Sequence, residues 1–246
     1  MELIVLGSSS FGNGYILKAS NNSSLIIEGG VKFSEVKKAL NFNISGIKGL
    51  IYTHSHLDHA KYVGEYVKAG IAVGATKGEL EAKNIKNTPE AVELEYGSIS
   101  HFGEFNVLPF PIVHDTPQPA GFLIKHTECG ITLFVTDTHY IHNKFQGLNN
   151  IIIEANYDKD IMFKRVAENK LHQSVAARSR GSHMELQTTL GFFKANDLSN
   201  VTNIVLIHLS DGNSNAENFK DSVEKLTGKQ TYIAEKGMTI NFNKGL

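Results

Sequence analysis

The 246-residue chain carries 24 Lys plus Arg against 25 Asp plus Glu, a formal charge of -1, with 41% hydrophobic and 20% charged residues. Such proportions exclude a disordered or fibrous protein, and the near-zero charge argues against one that grips nucleic acid through a broad basic field. The single cysteine, Cys129, excludes an intramolecular disulfide and a Cys-rich zinc module. The opening Met1–Val5 run has no basic segment followed by an apolar one, and no run approaches the roughly 18 apolar residues of a membrane span. A cytoplasmic protein with no membrane partner is the expectation.

Short apolar runs bounded by turn residues predict strands over 1–6, 15–18, 25–28, 49–53 and 71–73, with helices over 33–40 and 59–69. The second helix carries Tyr62, Val63, Tyr66 and Val67 at helical spacing. Strands follow over 105–109, 121–125, 131–136 and 151–154. The stretch 157–182 has no strand pattern and carries Lys159, Lys164, Arg165, Lys170, Arg178 and Arg180, which reads as a lid or binding loop, or as a solvated helical surface. Helices over 185–194 and 216–226 flank a strand over 204–207, and the runs 231–234 and 238–241 read as a closing hairpin. Many strands with a few intervening helices predict a sheet-rich, layered α/β protein in a single domain over 1–246.

Of 11 histidines, three fall with an aspartate in the segment His54-Ser55-His56-Leu57-Asp58-His59, directly after an apolar strand. His54 and His56 are two apart, so in extended chain they point to the same side, while Asp58 and His59 lie at the turn into the next helix. Three imidazoles and a carboxylate suit Zn²⁺ or a similar divalent ion. A second ion needs further ligands, and His114, Asp137 and His208 each end an apolar strand pattern. His101, His126, His139, His142 and His172 have no partner spacing and read as surface or packing residues, with His139 near enough to Asp137 to reach the site. The Gly12-Asn13-Gly14 and Gly29-Gly30 turns read as backbone geometry, with Ser8–Ser10 a candidate pocket edge.

The run 54–59 resembles the HxHxDH signature of the metallo-β-lactamase superfamily, and the order His114, Asp137, His208 is similar to its later ligand motifs. The resemblance covers nearly the whole chain and implies an αββα sandwich, two mixed sheets flanked by helices, with metals at one edge. It implies one ion on His54, His56 and His114, and another on Asp58, His59 and His208, with Asp137 bridging; the ions are expected to be Zn²⁺, with Mn²⁺ or Mg²⁺ as alternatives. The opening Val5–Asn13, the segments 134–138 and 153–158, Arg180–Met184 and His208-Leu209-Ser210 resemble the YycJ-like branch, related to tRNase Z and to phage anti-Pycsar phosphodiesterases. Relatives of that branch place Gly and His adjacent where this chain reads Gly181-Ser182-His183. Asp137 in place of the cysteine of many true β-lactamases argues against antibiotic hydrolysis.

Two divalent ions about 3.5–4 Å apart hold a water-derived nucleophile at neutral pH, with Asp58 or Asp137 orienting it. The departing oxygen needs a proton, for which His183, at a predicted loop-to-helix start, is the candidate donor with Glu154 tuning its ring. The catalytic set is therefore Asp58, His183 and Glu154, and Ser210 and Asn213 are candidates for substrate contact or for a simple turn. The resemblance implies a dinuclear phosphodiesterase of 3′,5′-cyclic nucleotides, a phage protein opposing a Pycsar-type defence in the host cytoplasm, and a homodimer in which 157–182 is a lid or dimer contact. The alternatives are a YycJ-like DNA or RNA nuclease, a non-catalytic nucleotide-sequestering protein, and, with less weight, lactone, glyoxalase or β-lactam chemistry.

Overall fold

A computed structural model describes residues 1–245. The first half lays down β1 (Glu2–Gly7), β2 (Gly14–Lys18), β3 (Ser24–Ile27), α1 (Phe33–Ala39), β4 (Ile47–Ile51), α2 (Leu57–Ala60), α3 (Val63–Lys68), β5 (Val73–Ala75), α4 (Lys77–Ala82) and β6 (Ala91–Glu93). The second half adds β7 (Ser100–Phe102), β8 (Phe105–Pro111), β9 (Ala120–His126), β10 (Gly130–Val135), β11 (Leu148–Glu154), α5 (Lys159–Ala167), α6 (Gln173–Ser182), α7 (Leu186–Ala195), β12 (Asn203–Ile207), α8 (Ala216–Thr227), β13 (Gln230–Ile233) and β14 (Thr239–Asn241). These form two mixed seven-stranded sheets, ordered β14-β1-β2-β3-β4-β5-β6 and β13-β12-β11-β10-β9-β8-β7. The expected sandwich of two mixed sheets flanked by helices is the architecture observed.

Most central strands are buried on both faces, so they read as continuous apolar runs rather than alternating ones. Leu3, Val5, Tyr15, Leu17, Leu25 and Ile27 of the first sheet meet Val107, Phe122, Ile124, Phe134, Ile152 and Val205 of the second in the inter-sheet core. The opposite faces carry Ile16, Ile26 and Leu50 against α1 and α3, and Leu133, Ile151, Ile153 and Leu206 against α7 and α8. Each such side chain, fully removed from water, contributes about 1.5–3 kcal/mol.

Two expectations differ from the structure. The closing hairpin does not form: β13 pairs parallel with β12, whereas β14 pairs antiparallel with β1 in the other sheet. The link 234–238 crosses from one sheet to the other, because Ala234 and Met238 pack into the apolar layer between them and Val5 exchanges backbone hydrogen bonds with Gly237 and Met238. The helix expected over 59–69 is two helices. The Gly29 N–H donates to the His59 carbonyl and the Tyr62 N–H to the Gly29 carbonyl, at 2.6 and 2.9 Å. These bonds to the exit of β3 divert the groups that would carry the helix through Tyr62.

Candidate metal centre

The C-terminal ends of β3, β4, β8, β10, β11 and β12 converge on one edge of the sandwich and deliver Glu28, His54, His114, Asp137, Glu154 and His208. Three of these, Glu28, Asp137 and His208, have positive φ (68°, 50° and 56°). A non-glycine residue there costs on the order of 1–3 kcal/mol, and the turn swings its side chain inward instead of along the strand.

The expected residues gather in overlapping clusters. One ligand atom each from His54, His56 and His114 lie within 4.8 Å of one another, as do those of Asp58, His59, Asp137 and His208, and those of Asp137, Glu154, His183 and His208. Asp137 sits at the centre: its Oδ2 is 3.3 Å from His54 Nε2, 3.0 Å from His59 Nε2 and 3.9 Å from His114 Nε2, and its Oδ1 is 3.2 Å from His208 Nδ1. Asp58 Oδ2 stands 3.3 Å from His59 Nε2 and 3.4 Å from His208 Nε2.

Electrostatics divides the histidines. Burial, with the neighbouring His59 charge, holds His54 below the usual imidazole range; burial and then His54 hold His114 down to about 4. Burial also opposes charge on His59 and His208, but the carboxylates prevail. Asp137 and Glu28 raise His59 well above its ordinary value, and Asp137, Asp58 and Glu154 lift His208 to about 9. His183 behaves likewise. Burial opposes its charge, and Glu154 followed by Asp137 lifts it to about 10.

Residues 9–149 match the metallo-beta-lactamase superfamily. The chain belongs to that superfamily. A curated relative, the exodeoxyribonuclease YycJ of Bacillus anthracis, is 26% identical over 174 residues, 66% of this chain and 65% of that protein. The chain is thus matched to just under two thirds of that relative's length. Solved structures share the fold at low identity. A diphosphatase from the PhnP family is 15% identical with a TM-score of 0.66, covering 100% of this chain and 99% of that one. The short form of human tRNase Z is 15% identical with a TM-score of 0.63, covering 98% and 99%. The YycJ relative fits the expected branch, the solved structures show the shared fold, and a metal-dependent hydrolase is the reading that superfamily membership supports.

The donor set fits divalent cations. His54 Nε2 and His114 Nδ1 are buried without a hydrogen-bond partner, and His114 Nε2 faces His56 Nδ1 at 3.1 Å, ring nitrogen to ring nitrogen. Converging lone pairs of this kind, interleaved with carboxylates, are satisfied by a cation.

Several supporting residues were not read from the sequence. Glu28 is fully buried, with Oε1 3.3 Å from His59 Nδ1 and accepting from Thr53 Oγ1 at 2.6 Å, while Thr53 Oγ1 lies 2.9 Å from His54 Nδ1. One carboxylate therefore orients a histidine in each cluster. The signal available was a charged residue ending an otherwise apolar strand before Gly29-Gly30. Glu79, also fully buried, accepts from Ser55 N at 2.7 Å and Gln118 N at 2.8 Å, tying the loop after His54 to the one after His114. Asn13 N donates to the Asp58 carbonyl at 2.7 Å, and a Cβ on Gly30 would overlap that same oxygen, so the two glycine turns cradle the 54–59 loop.

The remaining candidates sort by position. His183 caps the C-terminus of α6 and precedes α7 by three residues, rather than opening a helix. Ser10 and His183 line the cavity over the cluster, about 310 Å³, and Ser210 and Asn213 line an adjoining one of about 390 Å³. His139 is exposed and lines neither. His126 packs on Phe105 with ring centroids 4.7 Å apart.

Proposed function

We propose that this chain is a metal-dependent phosphodiesterase of nucleotides, holding two divalent ions, with zinc as the first choice. The ions would sit on His54, His56 and His114, and on Asp58, His59 and His208, with Asp137 shared. Bound divalent ions acidify water and polarise a phosphoryl oxygen; the chain's own residues supply the rest.

The observation that carries the reading is the Glu154–His183 pair beside the cluster. Glu154 Oε1 accepts from His183 Nδ1 at 2.7 Å, and Glu154 Oε2 accepts from Met184 N at 3.1 Å, which fixes the carboxylate. With Nδ1 so engaged, Nε2 is the ring's proton-bearing atom available to a ligand in the cavity that His183 lines. A water oxygen bonds to phosphorus and gives up a proton to solvent, the P–O bond to the sugar oxygen breaks, and that oxygen leaves with the His183 proton, which solvent then restores. A sugar alkoxide requires such a donor, whereas the thiolate expelled from a thioester makes no comparable demand on it. Arg178 lines the same cavity and supplies positive charge for a phosphate.

The finer reading takes 3′,5′-cyclic nucleotides as substrates, with a phage role against a cyclic-nucleotide defence and a homodimer of which 157–182 forms a lid or contact. It rests on the motif resemblance and the small size of the cavity. A nuclease is the second reading, supported by the YycJ relative. Metal-loaded protein incubated with 3′,5′-cyclic nucleotides, single-stranded DNA and a lactone, with products separated by chromatography, tests both. Nucleoside monophosphates are expected from the phosphodiesters; turnover of the lactone alone would overturn the proposal. Sedimentation velocity reads the dimer.

A further inference from the structure

The helices α5 and α6 place two arginines at the site that pair with no carboxylate among the described residues. Arg165, half-buried, and Arg178, exposed, line the 390 Å³ cavity that adjoins the one over the metal cluster, and Arg178, His183 and His208 line both. Among the described residues neither guanidinium forms an ion pair or a hydrogen bond, although Asp211 lines the same cavity. The backbone makes room for one of them: any side chain at position 212 would overlap the Arg165 guanidinium, which lies against Gly212. The other cations of the segment face elsewhere. Arg180 stacks 5.6 Å above the Phe163 ring, and Lys170 pairs with Glu168 at 2.9 Å. The sequence alone could not separate Arg178 from Arg180, and only Arg178 reaches the cavity.

A second observation points the same way. Asn213 is 8% exposed and lines this cavity; its Nδ2 donates to Ser210 Oγ at 3.1 Å, but its Oδ1 is buried with no partner. An unsatisfied buried acceptor needs an N–H or O–H donor. Two guanidiniums without an ion-pair partner, lining one cavity with this residue, match a phosphate ester.

We infer that this adjoining cavity is a subsite for a second phosphate of the substrate, one nucleotide unit away from the scissile phosphodiester. The inference rests on the phosphodiesterase reading and, of its two substrate readings, favours the nuclease over the cyclic nucleotides: the preferred substrate carries at least two phosphates, and a cyclic mononucleotide leaves the subsite empty. Arg165 and Arg178 fork onto the second phosphate, with Asn213 in the wall beside them.

The test compares thymidylyl-(3′→5′)-thymidine with and without a 5′-phosphate on the metal-loaded protein, with bis-p-nitrophenyl phosphate as the reference diester. The 5′-phosphate should lower KM about tenfold, and Arg165→Gln should reduce that preference to less than about twofold. Lys170→Gln, removing a cation of the same segment outside the cavity, should keep it. Calorimetry gives a readout without turnover: thymidine 3′,5′-bisphosphate should bind about tenfold more tightly than thymidine 3′-phosphate, and Arg165→Gln should remove the difference. Equal KM and equal Kd with and without the extra phosphate would overturn the subsite, as would a preference that survives Arg165→Gln combined with Arg178→Gln. Failure to hydrolyse any diester, the reference included, would instead sink the phosphodiesterase reading, while the calorimetric comparison would still decide the subsite.

Discussion

Nδ1 of His183 lies 2.7 Å from Oε1 of Glu154, and the same carboxylate oxygen lies 3.1 Å from Nδ1 of His208. A single buried carboxylate thus links the candidate proton donor to a candidate metal ligand. General acid catalysis supplies about 10²–10⁴-fold, so His183→Ala should lower kcat on a sugar phosphodiester by that order while retaining its metal. The defect should shrink on bis-p-nitrophenyl phosphate, whose leaving group hardly needs a proton. Glu154→Gln should follow the same pattern more weakly. Equal losses on both substrates would move His183 from proton donation to substrate positioning.

The clustered donors predict a metal content of close to two ions per chain in protein purified without chelators. His56→Ala removes one imidazole of the His54, His56 and His114 group, and should lose both bound metal and activity. Elemental analysis alongside a diester assay reads the two together. A fully active protein with no more than one ion, indifferent to chelators, would contradict it.

Metal uptake should release protons. His208, lifted to about 9, and His59, raised well above its ordinary value, are cationic at pH 7 in the metal-free site and must become neutral to coordinate. His54 and His114, held below the usual range, are already neutral and release nothing. Apparent affinity should therefore climb as pH rises from 7 towards about 9, where His208 gives up its proton. Titration calorimetry in buffers of different ionisation enthalpy counts the protons, and an enthalpy independent of buffer would refute the assignment.

Glu28 orients His59 directly, at 3.3 Å, and His54 through the Thr53 hydroxyl. Losing such a partner typically weakens metal binding about 10–100-fold. Glu28→Gln should do so while preserving the fold, since the amide keeps the volume and one acceptor oxygen. Competition with a chromophoric chelator measures the affinity, and circular dichroism confirms the fold. An unchanged affinity would leave Glu28 a purely structural residue.

The 54–59 segment and the strand-end residues His114, Asp137 and His208 were legible in the sequence because each follows an apolar run, and a buried strand that ends in a ligand-type side chain is a local pattern. The layered architecture was legible for the same reason: hydrophobic periodicity is written in neighbouring residues. What only the tertiary structure decided is which distant groups meet. Glu28, Glu79 and Asn13 act through partners 24 or more positions away, and no local spacing encodes those pairings. The last two strands have hairpin-like sequences yet become edge strands of different sheets, because β1 and β12 offer each a longer apolar partner than they offer one another. Arg178 and Arg180 are chemically alike, and the pitch of α6 alone turns one toward the cavity and the other onto Phe163. Residue chemistry determined what the site can hold; side-chain direction, set by packing against residues far along the chain, determined which groups are there to hold it.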